Sequence, residues 1–454
     1  MSNGTFNSDA FSYLSRHIIA PLWAAYEHSP YLKHLKTLQQ REFLSADEIR
    51  HTQWGRLKAM CDYAGSNSQY YKDLFNGEQI SSWDDFHQLP ILTKDAIRDK
   101  GREIQVEAYI GRRVRMKTSG STGVSLELFM DVESQQWKRA CALLRNMWSG
   151  YQLGDRVGAI WGNPEQYTNW RAWLRNFLLN RHLPLDTLHF TNENLEDYYQ
   201  LLIRKRPTTL FGHAHSLYLF AKYCEQKGYE GVRPKGLIST AMVLHDFERE
   251  TMERVFGCKV FDRYGCEEVS LIASECEAQE GLHVNTDTLV VEVVDSEGKP
   301  LPPGEPGAIV VTDLTNMAMP IIRYKIGDVG MWSGKPCSCG RGAPCLTSLG
   351  GRIADYVRLP DGGYVSGISL TENFHMALPG VKQLQIVQEK IDLLCFRVVA
   401  GDAWRDEDKA DIARLVKERF GESMGHSVEL VDSIQSDSSG KYRFCISQLE
   451  DEAF

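Results

Sequence analysis

The sequence predicts an α/β fold: a large N-terminal region on a mainly parallel sheet, a smaller strand-rich part, and a compact α+β domain at the end. Three observations carry this. Strand-like and helix-like runs alternate from about residue 112, turn-separated strands dominate after Gly281, and a hairpin–helix–strand pattern closes the chain. The 454 residues leave room for roughly two to four domains.

The first ninety residues read as helical. Ser45-Ala46-Asp47-Glu48 is a capping box, in which the Ser and the Glu each satisfy a free backbone N–H. Thr93 follows the extended Pro90-Ile91-Leu92 and starts another helix. Beyond residue 112, strands are expected at 157–161, 208–211, 236–239 and 259–262. Helices are expected at 134–147, 170–179, 195–204, 217–227 and 247–256. Parallel sheets of this kind bind ligands at the carboxyl ends of their strands, so the turns carry the functional signal. The strand-rich part is expected at 289–294, 308–313 and 328–332, punctuated by Asp295-Ser296-Glu297-Gly298 and Pro302-Pro303-Gly304. The tail reads as a hairpin (383–388, 392–399), a helix (406–419) and strands at 428–431 and 441–447.

Lys and Arg number 51 against 60 Asp and Glu, a formal charge of −9, which argues against a broad nucleic-acid-binding surface. A local basic pocket for phosphates remains open. No basic-then-apolar leader and no run of roughly 18 apolar residues is seen, so neither a signal peptide nor a membrane span is expected. Eleven scattered cysteines are unlike a disulfide framework and fit a reducing cytoplasm.

Three loops carry the chemistry. Thr118-Ser119-Gly120-Ser121-Thr122-Gly123 is a donor-rich loop able to wrap an anion, although alone it reads equally as a Ser/Gly hairpin turn. It lacks the Gly-Lys-Ser/Thr of the helix-opening nucleotide loop. Asp262-Arg263-Tyr264-Gly265-Cys266-Glu267-Glu268 follows a strand. Its tyrosine ring can cover a purine and its paired carboxylates can hold Mg²⁺ against a triphosphate, or it is merely a charged loop. In Arg323-Tyr324-Lys325-Ile326-Gly327-Asp328 the carboxylate can accept two hydrogen bonds from a ribose diol, or serve a turn.

Taken in order with Gly351-Arg352 and Gly440-Lys441, these motifs resemble the adenylate-forming superfamily of acyl-CoA synthetases and adenylation domains. Leu89-Pro90-Ile91-Leu92-Thr93-Lys94, Asp313-Leu314-Thr315-Asn316, Pro320-Ile321-Ile322-Arg323-Tyr324 and Gly440-Lys441-Tyr442-Arg443-Phe444 are similar to the phenylacetate–CoA ligase family, in its branch found with capsule and secondary-metabolite genes. The resemblance implies an N-terminal adenylation domain, 1–352, and a mobile C-terminal lid domain, 353–454. It implies ATP-dependent conversion of an aryl or medium-sized carboxylic acid to an acyl-adenylate, then transfer to coenzyme A. Thr118–Gly123 would cradle the β- and γ-phosphates, Glu268 bind Mg²⁺, Tyr264 with Gly265 cover adenine, Asp328 hold the ribose and Arg352 reach ribose or phosphate. Asp262 belongs to the same nucleotide set, and Thr240-Ala241-Met242 is a candidate for the adenine edge. Lys441 would sit between the carboxylate and the α-phosphate, where a fixed ammonium in a water-poor cleft stabilises concentrated negative charge. Departures from the pattern are Val124-Ser125, Glu267, Ile326 and Ala354.

Cys276, His283, Cys337 and Cys339 form a set with the composition of a closed structural zinc shell, inside a knuckle spanning 276–345, with Cys345 in reserve; buried free thiols are the alternative. Relatives of this branch share those positions. The acyl pocket is expected near Trp161-Gly162-Asn163 and Phe211-Gly212-His213-Ala214-His215, where Trp161 and Phe211 wall an aryl acid or simply fill the core. If that segment is extended, only one of His213 and His215 faces the pocket. The expected partners are a small carboxylic acid and CoA, with no nucleic acid and no membrane; a homodimer is left open. Two other readings stay open. One passes the adenylate to an amine or a carrier-protein thiol, and the other is a binding protein that has lost turnover. Glu268 and Lys441 together argue against the second.

Overall fold

In the computed structural model the described residues are 4–110, 113–117, 127–161, 169–186, 192–352, 356–358, 364–366, 378, 380–401, 404–421, 423–434 and 445–449. Contacts divide the chain into two units, Met1–Ile326 with Gly330–Ser348, and Gly327–Val329 with Leu349–Phe454.

The first unit begins with helices. In the Ala46–Asn67 helix the Ser45 N–H donates to Glu48 Oε2 at 2.8 Å and the Glu48 N–H to Ser45 Oγ at 3.3 Å, the expected reciprocal cap. Thr93 Oγ1 likewise accepts from Ala96 N–H and caps the Lys94–Ile104 helix. An antiparallel pair, β1 (Arg113–Lys117) and β2 (Glu127–Asp131), leads into the Val132–Trp148 helix. Next come β3 (Val157–Trp161), β4 (His182–Asp186), β5 (Thr209–His213), β6 (Gly236–Thr240) and β7 (Lys259–Cys266). They pair in parallel in the order β4-β3-β5-β6-β7. The sheet continues through β8 (Ser270–Glu275), β9 (Leu282–Val284), β13 (Cys345–Arg352), β12 (Tyr324–Trp332), β11 (Pro306–Asp313) and β10 (Leu289–Val294), eleven strands in all.

Alternation along β3, β5, β6 and β7 sends side chains to two covered faces. On one, Ile160, Leu210, Leu237 and Val260 pack beneath Leu217, Phe220, Met252 and Phe256 of the covering helices. On the other, Val157 and the partly buried Phe211 meet Ala140, Cys141 and Leu144 of the Val132–Trp148 helix, backed by Leu35 and Leu38. Each buried Leu or Phe stabilises the fold by about 1.5–3 kcal/mol.

The second unit pairs β14 (Tyr356–Arg358) with β15 (Tyr364–Ser366). It also folds β16 (Val381–Lys390), β17 (Leu393–Ala400), β18 (Gly425–Leu430) and β19 (Cys445–Ser447) into a sheet of order β18-β17-β16-β19. Its core joins Leu384, Ile386, Leu394, Phe396 and Val398 to Ile412, Leu415 and Val416 of the Glu407–Phe420 helix.

Several sequence expectations change. β4 was not foreseen: Pro184 lowers its strand signal, and the sheet edge is where a proline is tolerated. The run 170–179 is a helix only over Trp170–Arg175 and continues as a π-turn, Asn176–Asn180. Tyr264-Gly265 belongs to β7 itself rather than to the loop after it, and Asp328 lies inside β12. β5 ends at His213 and a helix starts at Ala214, so the alternation argument for His213 and His215 does not apply. The first part of the 441–447 run lies outside the described residues.

Candidate functional site

The carboxyl ends of β3, β5, β6 and β7 bring together residues from four strands. His213 pairs in register with Thr240, and Thr240 with Arg263, so the three form a row across the sheet. At its end the Trp161 ring lies 4.0 Å from the ring of buried His213 and stacks on Phe211 at 5.4 Å and 10°. Trp161, Phe211, Gly212 and His213 are therefore one cluster. Gly212 is required there, because a β-carbon would sit 2.4 Å from the carbonyl oxygen of Ile160. Asn163 lies outside the described residues, as does Gly162, and the side chain of His215 is not described.

Beyond Thr240 the chain turns through Ala241 at φ +66°, a left-handed conformation costly for a residue with a β-carbon. Asp262 enters a network of its own. Its N–H donates to Glu275 Oε2 at 2.8 Å, its Oδ1 accepts from the Arg263 backbone N–H at 3.0 Å, and Arg249 holds Glu275 bidentately. Burial, helped by the Glu275 charge, pushes the Asp262 carboxyl up to about 8. Tyr264 precedes a register shift in the β7–β8 pairing, and a β-carbon on Gly265 would lie 2.5 Å from the Ser270 carbonyl.

Glu268 is buried in the turn between β7 and β8. The Tyr324 hydroxyl donates to its Oε1 at 3.0 Å, and Lys94 Nζ lies 3.7 Å from the same oxygen. Oε2 has no partner among the described residues and can accept from a ligand or a cation, so the carboxylate suits Mg²⁺. Sequence reasoning had Lys94 and Tyr324 only as parts of motifs. Arg323 explains their placement: fully buried at φ +50°, it meets Glu292 with two nitrogens at 3.0 and 3.2 Å. It also donates to the carbonyls of His87, Leu89 and Gly298. This fixes the segment before Leu92, which bridges to Tyr324 and exchanges backbone hydrogen bonds with Arg323 and Lys325. Lys94 follows two residues later.

Asp313-Leu314-Thr315-Asn316 anchors β2 and the start of the Val132–Trp148 helix. Asp313 pairs with Lys138 at 2.7 Å, the Asn316 amide donates to the Phe129 carbonyl, and the Met317 N–H donates to Asp131. Thr118, Ser119, Gly120, Ser121, Thr122 and Gly123 themselves lie outside the described residues, as do Ala354, Gly440 and Lys441. Asp328 follows Gly327, whose φ of +93° suits glycine; Arg352 ends β13, its side chain not described.

The second cluster is metal-like. One ligand atom each from Cys276, His283, Cys337 and Cys339 all lie within 4.8 Å of one another. Cys276 Sγ is 3.6 Å from Cys337 Sγ, and Cys339 Sγ is 3.3 Å from His283 Nε2. Tetrahedral zinc with Zn–S of about 2.3 Å and Zn–N of about 2.0–2.1 Å places its ligand atoms about 3.5–3.8 Å apart. A disulfide needs about 2.05 Å. The Nδ1 of His283 faces the Ala343 carbonyl at 3.0 Å, which leaves the Nε2 lone pair for the cluster. Burial holds this imidazole neutral, down to about 4. Burial raises the Cys339 thiol, but the Arg341 N–H and guanidinium and the neighbouring thiols outweigh it and favour thiolate. Cys345 is buried opposite His283 in the β13–β9 pairing and is outside the four-ligand set.

Among known proteins, residues 357–448 match the CapK C-terminal domain family. Protein CapK of Staphylococcus aureus is 25% identical over 430 residues, covering 92% of this chain and 93% of that one. Phenylacetate-coenzyme A ligase of Thermus thermophilus is 24% identical over 429 residues, 87% of this chain and 88% of that one. Among solved structures, 2-hydroxyisobutyryl-CoA ligase in the postadenylation state, in complex with 2-HIB-AMP, superposes with a TM-score of 0.69 at 20% identity. That match covers 91% of this chain and 92% of that one, and the fold is thus that of the adenylate-forming CoA ligases. No helix among the described residues is long and apolar enough to cross a membrane.

Proposed function

We propose that this chain, an adenylate-forming enzyme homologous along most of its length with Protein CapK and the phenylacetate–coenzyme A ligases, activates a carboxylic acid with ATP and passes the acyl group to coenzyme A. The observation that carries the reading is buried Glu268, gripped through one oxygen by Tyr324 and Lys94 beside the carboxyl-end row of a parallel sheet.

A carboxylate oxygen of the acid attacks the α-phosphorus of ATP. The new O–P bond forms as the bond to pyrophosphate breaks; the thiol of CoA then attacks the acyl carbon, losing its proton, and the C–S bond forms as the C–O bond to AMP breaks. Glu268 would hold Mg²⁺ through Oε2; the ion supplies neutralisation of phosphate charge. Lys94 keeps that carboxylate from standing as an unpaired buried charge. Tyr264 and the Thr240-Ala241 turn flank the adenine, Asp262 braces them from behind, and Asp328 and Arg352 serve the ribose. Thr118–Gly123 take the phosphates and Lys441 the charge at the α-phosphate. Trp161, Phe211, Gly212 and His213 line the acyl pocket. Cys276, His283, Cys337 and Cys339 would hold a structural Zn²⁺ that ties β8, β9 and the 337–342 turn together. The reaction is cytoplasmic.

Pyrophosphate exchange into ATP across a panel of carboxylic acids tests the first step, and CoA, amines and hydroxylamine offered to the active acids identify the acceptor. Lys441→Ala should lower exchange by about 100–1000-fold with an unchanged melting temperature. Undiminished exchange would remove Lys441 from the chemistry, and a product with amines but not CoA would move the acceptor class.

A further inference from the structure

Arg263 ends the row on the far side of Thr240 from His213, and its charge has no counter-ion among the described residues. Asn146 Oδ1, a neutral acceptor on the Val132–Trp148 helix, takes its Nη1 at 2.7 Å. Nε is buried with no partner, and no carboxylate pairs with the guanidinium among the described residues. The carboxylate of Asp262, next in sequence, accepts from the Arg263 backbone N–H at 3.0 Å and not from its guanidinium. Elsewhere in the molecule Arg181, Arg249, Arg323 and Arg341 each meet a carboxylate.

The environment of Arg263 is largely apolar: its guanidinium carbon lies 5.6 Å from the centre of the Phe211 ring, which stacks on Trp161. A cation–π contact returns about 0.5–2 kcal/mol, whereas withdrawing a cation from water costs several. Burial alone pulls the guanidinium down to about 10, with no acidic group opposing it, so it stays charged at neutral pH. Strand alternation separates this cation from the nucleotide. Residues 263 and 264 project to opposite faces of β7, so Arg263 shares its face with the Phe211 side of the sheet and not with Tyr264.

We infer that Arg263 determines acyl specificity, and that the acid activated here carries a second oxyanion, a carboxylate or its equivalent, across an apolar body from the group that reacts. The guanidinium fork matches a carboxylate bidentately, and Trp161, Phe211 and His213 cover the body between the two ends. This rests on the acyl-activating reading above and narrows it to a substrate class.

The test pairs monoacids with diacids of the same skeleton, phenylacetate with 4-carboxyphenylacetate and hexanoate with adipate, in pyrophosphate exchange by the full-length enzyme. Wild type should favour the diacid by about 100-fold in kcat/KM, since a site built for a charged group rejects an analogue lacking it. Arg263→Met should erase that preference, mainly through KM for the diacid. Arg263→Lys should restore part of it. Diacid should also raise the melting temperature of wild type with ATP present, and fail to do so for Arg263→Met. A wild-type preference for monoacids, or a diacid-to-monoacid ratio unchanged in Arg263→Met, would overturn the inference and leave acid activation intact. Exchange with no acid of either class would overturn both. The wild-type ratio decides the matter even where the variant does not fold.

Discussion

Arg323 and Arg263 are both large cations drawn into the fold, Arg323 fully buried beneath the strand-rich part and Arg263 half-buried at the end of the parallel strands. Around Arg323 the donors are matched: Glu292 and the carbonyls of His87, Leu89 and Gly298 accept from it. Around the Arg263 guanidinium the only hydrogen-bonded side chain among the described residues is a neutral amide. The first arrangement organises the protein, since it fixes the route by which Lys94 and Tyr324 reach Glu268. In the second, Nε has no partner among the described residues. A charge with every donor occupied is architecture; one with a donor left over suits the binding role inferred above.

This contrast can be broken most decisively at Arg323. Arg323→Met leaves Glu292 buried without its cation and should cost about 3–5 kcal/mol, read as a lower urea midpoint. Arg263→Met removes a charge that no acid among the described residues balances and should leave stability unchanged or raise it. Equal losses in the two variants would erase the distinction. Arg341 offers an intermediate case. It pairs with Glu42 and Glu277, yet its own N–H is tied to Cys339, so its setting depends on the cysteine–histidine cluster. Stripping metal with a strong chelator should lower the melting temperature by roughly 5 °C or more. It should also shift the fluorescence of Trp148, whose ring lies 5.8 Å from that of His283 and 4.4 Å from the Arg341 guanidinium. Elemental analysis finding no zinc, with a chelator-insensitive transition, removes the metal.

The smallest effect bears on whether Asp262 is a hidden counter-ion for Arg263. A counter-ion would be held below the usual carboxylate range, whereas Asp262 is pushed up to about 8 by burial and the Glu275 charge. Between about pH 4 and 8 the folded chain then carries a proton that the unfolded chain has lost, so stability should fall as pH rises through that window. Asp262→Asn should flatten that slope in melting temperatures measured from pH 5 to 8. An unaltered slope would mean the carboxylate is ionised and available to its neighbour.

Much of the fold was legible because it rests on local periodicity. The four inner parallel strands, their covering helices and the caps at Ser45 and Thr93 all follow from short-range pattern. β4 was hidden by Pro184, and the full length of β12 by Gly327, since both residues usually punctuate strands. The cysteine–histidine set was readable from residue type and crowding, and it converges in space. Lys94 beside Glu268 was not readable, since 174 residues of chain separate them and only the Arg323 anchor brings them together. Arg263 was in view as one letter of a motif, but nothing in a linear string reports a missing counter-ion.

Gly212 sets a boundary on how the proposed acyl site can diversify. Its would-be β-carbon lies 2.4 Å from the Ile160 carbonyl oxygen, so no side chain fits there and β3 and β5 keep their spacing behind His213. Trp161, His213, Thr240 and Arg263 each come from a different strand, whose ladder is held by backbone groups alone. A lineage could therefore retune its diet of acids through single codon changes in the walls, and a laboratory library restricted to those four positions would sample the same freedom without disturbing the sheet.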